Sequence, residues 1–182
     1  MYGVINKSLR DMMLNQYGEQ AWERVFKRSG VPDDSFLAMR SYDDAVTYQL
    51  AHAAADELNI DVQSALKAFG VHWVEHTLPS SYETLARAAG GDMLQFLGNL
   101  NALHDRISST FIDYLPPEFE VKHLPDGRVE VIYISTRVGL TPFVEGLLIG
   151  LGDRFEQRVD IHEINPLPVS EGEKTAFIIT LS

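Results

Sequence analysis

The amino-acid sequence predicts an α+β fold, in which an N-terminal helical part, about residues 1–117, packs on a C-terminal part, about residues 118–182, with a four-stranded antiparallel sheet. Apolar residues recur every three or four positions through the first part, which is typical of helices with one buried face. The Leu115-Pro116-Pro117 sequence ends this pattern, because proline cannot continue a helix. Beyond it, β-branched and apolar residues alternate or run together, as in strands. The chain is expected to form a single domain.

Six helices are expected in the N-terminal part, and several of their ends carry residues that typically start or stop a helix. Ser41 or Asp43 is expected to cap the third helix and Asp61 the fourth, because short polar side chains accept hydrogen bonds from the first free N–H groups. Gly18 ends the first helix. Gly70 weakens the fourth, so a bend or break is expected there. The expected ranges are 4–17, 19–28, 43–58, 62–77, 82–89 and 93–114.

A hairpin, one helix and two closing strands are expected in the C-terminal part. Pro125-Asp126-Gly127 is a turn sequence, so the segments 119–124 and 129–137 on either side of it are predicted to pair as a hairpin. The remaining elements are expected at 141–155 for the helix and at 159–164 and 175–181 for the strands.

Composition excludes several classes of function. The chain has 182 residues, no cysteine and a formal net charge of −11. Without cysteine there is no disulfide, thiolate catalysis, iron–sulfur cluster or covalent haem attachment. The acidic balance repels phosphate backbones and anionic lipid surfaces, so neither nucleic acid nor a membrane is an expected partner. No signal sequence or membrane-length apolar run is present, and a cytoplasmic location is expected.

His104 is a polar residue on the apolar face of the expected helix at 93–114. It lies four residues after Leu100 and three before Ile107, both on that face. Taken alone, it is interpreted as a core histidine hydrogen-bonded to a carbonyl. The alternative is an axial metal ligand, because haem iron needs one neutral imidazole reaching it from an apolar wall. The apolar positions of the face are Leu97, Leu100, Leu103, Ile107 and Phe111.

Tyr133, Ser135 and Arg137 form a second unusual group, because alternate residues of a strand share one face. Taken alone, Y-x-S-x-R is interpreted as a solvated sheet face with a surface salt bridge. The functional alternative is a carboxylate clamp, in which a guanidinium fork and two hydroxyls bind acidic groups. Haem carries two propionates that need such partners when they are buried.

The histidine and the motif together resemble the H-NOX family, the haem–nitric oxide/oxygen binding domains related to the haem domain of soluble guanylate cyclase. The resemblance covers essentially the whole chain and includes the opening MYGVI, the helix with His104, the Pro-Pro pair and YISTR. It implies haem b (iron protoporphyrin IX) buried between the helical and sheet-bearing parts. The residues implied to bind it are His104 as the proximal iron ligand, Tyr133, Ser135 and Arg137 at the propionates, and Pro117 and Ile5 at the porphyrin.

The resemblance also bears on the distal side of the haem, where the gas binds. Oxygen-binding members carry a tyrosine at the position of Pro142 and an aromatic residue at that of Leu9. Neither residue here has a side-chain donor, and bound dioxygen gains from a donor more than nitric oxide does. A nitric oxide sensor that also takes carbon monoxide and discriminates against oxygen is therefore expected. Thr141 and Tyr2 stay open as possible donors.

The family also implies how the signal leaves the domain. Nitric oxide weakens the iron–His104 bond, and the two parts shift about a hinge at Pro117. The output is expected on a separate partner protein, a histidine kinase or a cyclic-di-GMP enzyme, and the domain itself is not expected to be an enzyme.

His72-Trp73-Val74-Glu75-His76 supports an alternative function. H-x-x-E-H is the pattern of inverted zinc hydrolases, in which two histidines bind zinc and the glutamate is the general base. The third ligand is not placed by the sequence. A plain binding domain with His104 in its core is a third hypothesis.

Overall fold

The structure is a computed structural model of the chain that describes residues 1–108 and 114–182. In these two ranges the helical elements are α1 (Gly3–Tyr17), α2 (Glu19–Ser29), α3 (Asp44–Leu58), α4 (Val62–His72), a π-helical segment (Trp73–Thr77), α5 (Leu78–Ala89), α6 (Met93–Gly98), α7 (Leu100–Ser108) and α8 (Thr141–Arg154). The strands are β1 (Glu118–His123), β2 (Val129–Ser135), β3 (Val159–Pro166) and β4 (Glu173–Leu181). Within the described ranges, no helix combines the length and apolarity needed to cross a membrane.

The predicted helix starts at α3 and α4 are confirmed. Asp43, and not Ser41, caps α3, because its carboxylate accepts a hydrogen bond from the backbone nitrogen of Ala45 at 2.8 Å. Asp61 caps α4 by accepting from the nitrogen of Ser64 at 2.8 Å. Both caps satisfy N–H groups that the helix itself leaves free.

The break expected at Gly70 does not occur. The chain continues from α4 through the π-helical segment into α5, which begins at Leu78 and carries Pro79 in its first turn, where proline needs no N–H partner. Gly70 instead allows close contact, because a Cβ there would collide with the Phe143 carbonyl of α8. Gly146 of α8 is confined in the same way by the Lys67 carbonyl. The glycines therefore serve packing between α4 and α8.

The helix predicted at 93–114 is divided, which corrects the prediction. Asn99 separates α6 from α7, and its side-chain nitrogen donates to the Ala89 carbonyl at 2.8 Å. This contact reaches back ten residues, and the apolar spacing continues across the division at Asn99. Phe111, the last position of the predicted apolar face, lies outside the described residues.

The predicted four-stranded antiparallel sheet is confirmed, with the strand order β1-β2-β4-β3. In the predicted hairpin Phe119 pairs with Tyr133, and Tyr133 pairs in turn with Thr175 of β4. Strand β2 ends at Ser135, so Arg137 lies just beyond the sheet.

Two hydrophobic cores divide the described residues. One is built from residues of α1 to α4 and the loop after α2, and the other from the π-helical segment, α5 to α8 and the sheet. Trp73 and Leu140 pack against both cores. The chain changes from helix to strand near residue 117, as expected, whereas its packing changes near residue 70. Helices α5 to α7 therefore belong with the sheet.

Candidate functional site

A cavity of about 230 Å³ lies where the two cores meet. Trp73 and Leu140, which pack against both cores, are part of its wall. The side chains that α4 and α8 contribute to this wall are all apolar: Leu66, Phe69, Phe143, Val144, Leu147, Leu148 and Leu151. Polar groups concentrate at His104 and at the end of β2. Such a cavity, apolar with a few convergent polar groups, is typical of a cofactor site.

His104 faces this cavity from α7 with its tautomer fixed by the backbone. Its Nδ1 lies 3.1 Å from the carbonyl oxygen of Pro117. A carbonyl only accepts, so Nδ1 carries the proton and donates it, leaving Nε2 with a free lone pair. Burial lowers the pKa of His104, against a smaller opposing effect of this hydrogen bond. A neutral imidazole with one fixed nitrogen and one free nitrogen is the form that binds a metal ion.

Aromatic rings surround the His104 imidazole. The ring centroid of Phe119 lies 6.3 Å away and that of Tyr114 lies 6.4 Å away. These rings exclude water from the imidazole, which explains the direction of its pKa shift. The proximity of Pro117 and Phe119 also places His104 against the start of β1.

Tyr133, Ser135 and Arg137 all line the same cavity. Tyr133 is buried, its hydroxyl is hydrogen-bonded to Ser135, and burial raises its pKa to about 12. The hydroxyl oxygen of Ser135 also accepts from the backbone nitrogen of Arg137 at 3.0 Å. This bond turns the chain after β2 and brings the guanidinium to the cavity rim.

Arg137 is held by a protein carboxylate that the sequence analysis did not include. Its Nε donates to Oδ2 of Asp44 at 2.9 Å, and its Nη1 donates to the Leu115 carbonyl at 2.7 Å. Partial burial opposes ionisation of Asp44, but bonds from the Met1 nitrogen and Arg137 outweigh it and lower the pKa of Asp44. The guanidinium is therefore already engaged in binding a carboxylate.

Four further site residues named from the resemblance fall into two pairs. Pro117 and Ile5 line the cavity. Leu9 and Pro142 do not belong to its lining. Leu9 is buried in the core of the N-terminal helices, and Pro142 lies half-buried in the first turn of α8. Neither Leu9 nor Pro142 is therefore exposed to the cavity.

The possible distal donors named from the sequence, Thr141 and Tyr2, are only partly present in the cavity lining. Thr141 donates to Glu173 at 2.6 Å and contacts the Thr175 hydroxyl at 2.8 Å, outside the lining. Tyr2 does line the cavity. So does Tyr82, which the sequence analysis missed and whose pKa burial raises. The position of Tyr82 in its helix did not indicate that it lines the cavity, because that depends on the packing of α5 against the sheet.

The histidine pair of the zinc alternative is not arranged as a hydrolase site. His72 is buried, whereas His76 and Glu75 are exposed and lie 3.8 Å apart. Burial and the neighbouring His76 lower the pKa of His72 to about 4. Within residues 1–108 and 114–182, no three His, Cys, Asp or Glu side chains are grouped to hold a metal ion.

The fold and cavity together indicate a cofactor-binding domain, and comparisons with known proteins identify its family. The model of the haem–NO-binding family matches residues 2–163, so the chain belongs to that family. Its members are haem-binding gas-sensor domains, not catalytic ones.

Named relatives and solved structures agree with this assignment. The soluble guanylate cyclases gcy-32 and gcy-35 of Caenorhabditis elegans are 28% and 29% identical to the chain, over 81% of its length. The chain spans about a fifth of these relatives, 22% of each. An H-NOX protein from S. oneidensis in the Fe(II)NO ligation state has the same fold, with a TM-score of 0.81, 22% identity and coverage of 100% of this chain and 99% of that one. A triple mutant of the S. oneidensis H-NOX protein in the Fe(II) ligation state gives a TM-score of 0.85 at 21% identity, over 100% and 96% of the two chains.

The cavity residues fit a haem by their chemistry. An iron porphyrin needs an imidazole nitrogen with a free lone pair, and Nε2 of His104 provides one. Its flat apolar body needs apolar walls, which α4 and α8 supply. Its propionates need charge-assisted donors, and Arg137, Ser135 and Tyr133 lie together at one part of the lining.

Proposed function

We propose that this domain binds haem b in the cavity between its two cores and senses nitric oxide there. The observation that carries the proposal is His104, whose Nδ1–H is committed to the Pro117 carbonyl so that Nε2 is left free in an apolar cavity. His104 would hold the haem through Nε2, and the haem would supply a ferrous iron able to bind nitric oxide, which would weaken the iron–His104 bond.

The chain's own residues orient the cofactor in this proposal. His104 binds from α7, and the hydrogen bond to Pro117 sets the plane of its ring. Pro117 and Ile5 line the same cavity and would contact the porphyrin. Arg137 would exchange its present carboxylate partner, Asp44, for a propionate of the same chemistry, and Ser135 and Tyr133 would donate to the remaining oxygens.

The selectivity for nitric oxide over oxygen is proposed to come from the walls that α4 and α8 contribute. Within the described residues, these two helices present only apolar side chains to the cavity. Leu9 and Pro142 are outside the cavity lining, and neither has a side-chain donor. Carbon monoxide, which also needs no donor, is expected to bind as well. Thr141 donates to Glu173 and lies outside the cavity lining, whereas Tyr2 lines the cavity and is a candidate for a distal donor.

The proposed output is a change in the activity of a separate partner enzyme. A histidine kinase or a cyclic-di-GMP enzyme is proposed from the sequence resemblance. Support for a catalytic partner comes from the named relatives, soluble guanylate cyclases of which this domain corresponds to about a fifth, 22%.

An absorption spectrum with added gases tests the proposal. The purified ferrous protein is expected to show a strong Soret band that shifts with nitric oxide and with carbon monoxide but to form no stable oxygen complex in air-saturated buffer. A stable oxygen complex would refute the selectivity argument. A colourless protein after expression with excess haem precursor would refute haem binding itself.

A further inference from the structure

The side chain of Asn101 joins α7 to the first strand of the sheet. Its Nδ2 donates to the carbonyl oxygen of Phe119 at 2.8 Å, and its Oδ1 accepts from the nitrogen of Phe119 at 2.9 Å. Strand β1 is at the edge of the sheet, so one side of its backbone has no strand partner among residues 1–108 and 114–182. The Asn101 amide takes that place at Phe119, offering one donor and one acceptor as a neighbouring strand does.

The next turn of the same helix makes a parallel attachment. His104 lies three residues after Asn101, and its Nδ1 donates to the Pro117 carbonyl at 3.1 Å. Two side chains of α7 are thus bonded to two positions, Pro117 and Phe119, of one extended segment. Attachment at two points fixes both the position of α7 along the segment and its rotation about its own axis. One bond alone leaves rotation free.

We infer that Asn101 is a positioning residue for His104, which holds α7 and the 117–119 segment together so that they move as one unit. This inference rests on the proposed role of His104 as the iron ligand. Phe119 is buried, and its ring centroid lies 5.7 Å from that of Tyr133 and 6.3 Å from that of His104. A displacement of the imidazole therefore reaches β1 and the Tyr133 end of the cavity through Phe119.

The test compares Asn101→Leu and Asn101→Asp with the control Ala102→Leu. Leucine is close to asparagine in shape and makes neither bond. Aspartate keeps an acceptor for the Phe119 N–H but sets a second carboxylate oxygen against the Phe119 carbonyl. Ala102 is the next residue of α7 and is exposed, so Ala102→Leu shows the effect of a leucine on this helix without the loss of the Asn101 bonds.

Two readouts are needed, hydrogen exchange at the Phe119 amide and the iron–imidazole stretching band of the ferrous protein by resonance Raman. Asn101→Leu is expected to speed the exchange by about tenfold, which corresponds to losing one hydrogen bond. It is also expected to shift and broaden the iron–imidazole band. Asn101→Asp is expected to keep the slow exchange and still shift the band, and Ala102→Leu to change neither.

An unchanged iron–imidazole band in both Asn101 variants with haem bound would overturn the inference and leave Asn101 a purely structural role. If Asn101→Leu does not fold, the band of Asn101→Asp decides. If the parent protein binds no haem, the proposed function fails, while exchange at Phe119 still shows whether Asn101 holds the segment.

Discussion

The two polar ends of the cavity are built in opposite ways. At one end, His104 is neutral and its Nδ1 is bonded to a backbone carbonyl. At the other, Arg137 is charged and is bonded to the side chain of Asp44 as well as to a carbonyl. A backbone partner fixes direction and does not titrate, whereas a carboxylate partner can be exchanged for another carboxylate. The comparison suggests that the imidazole end defines where a cofactor binds and the arginine end adapts to it.

The largest effect is expected at the imidazole end. His104→Gly removes the proposed iron ligand, so the ferrous Soret band should lose its imidazole-bound form, and added imidazole should restore it. His52→Gly is the matched control, because His52 is exposed on α3 and its replacement carries the same helix-propensity cost, a few tenths of a kcal/mol. An identical ferrous spectrum for His104→Gly and the parent protein would show that another residue binds the iron.

A smaller effect is expected at the arginine end. Arg137→Gln removes a charge-assisted donor and should weaken haem binding by about tenfold to a hundredfold, measured by transfer of haem to an acceptor protein. Arg28→Gln, an exposed substitution at the end of α2, serves as the control. Equal haem loss rates for the two variants would show that Arg137 binds no propionate.

Asp44→Asn tests whether a haem propionate replaces Asp44 at Arg137 or whether Asp44 must stay bonded to orient the guanidinium. If Asp44 only occupies Arg137 until a propionate replaces it, the variant should bind haem at least as tightly as the parent protein in the same transfer assay. If Asp44 must stay bonded to orient the guanidinium, Asp44→Asn should weaken binding like Arg137→Gln. The first result is expected, because Arg137 keeps its bond to the Leu115 carbonyl.

The two ends should also differ in their response to pH. The pKa of His104 is lowered in the folded chain, so below its ordinary value of 6.5 the unfolded chain binds a proton that the folded chain does not. Its contribution to stability is therefore present above pH 6.5 and falls as the pH falls below it. The pKa of Asp44 is also lowered, from 3.8, so its contribution to stability is lost only below about pH 3.8. In urea unfolding between pH 7 and 5, His104→Gln should flatten the pH dependence and Asp44→Asn should leave it unchanged.

His72 should dominate that pH dependence, although it lies outside the cavity. Its pKa falls from 6.5 to about 4, so the same linkage predicts a loss of roughly 3 kcal/mol in unfolding free energy as the pH falls through this interval. His72→Gln should remove most of the slope, and His52→Gln, a substitution at an exposed position of α3, is the control. Equal slopes for the two variants would show that His72 is not the group that titrates.

Local signals were enough to predict much of the fold. The hairpin turn, the caps at Asp43 and Asp61 and the α8 range depend on neighbours in sequence. The division at Asn99 was not predictable in this way, because it depends on a bond to Ala89 ten residues earlier. Gly70 was misinterpreted for the same reason, since its partner is a carbonyl of α8.

The candidate-site residues that belong to a sequence motif could be predicted. Those that reach the site only through tertiary contacts could not. His104 and the Y-x-S-x-R residues were named from the sequence, and the structure brings them to one cavity. Asp44 was missed, because it lies 93 residues before Arg137 and looks like an ordinary first-turn carboxylate of a helix. Asn101 was missed as well, because its partner is backbone and any residue of β1 offers the same groups.

The most direct test of the central claim is resonance Raman spectroscopy of the ferrous protein labelled with ¹⁵N-histidine. The account predicts an iron–imidazole stretching band that moves to lower frequency on labelling and is absent in His104→Gly. A band that does not respond to the label, or one that persists in His104→Gly, would contradict the assignment of Nε2 of His104 as the iron ligand.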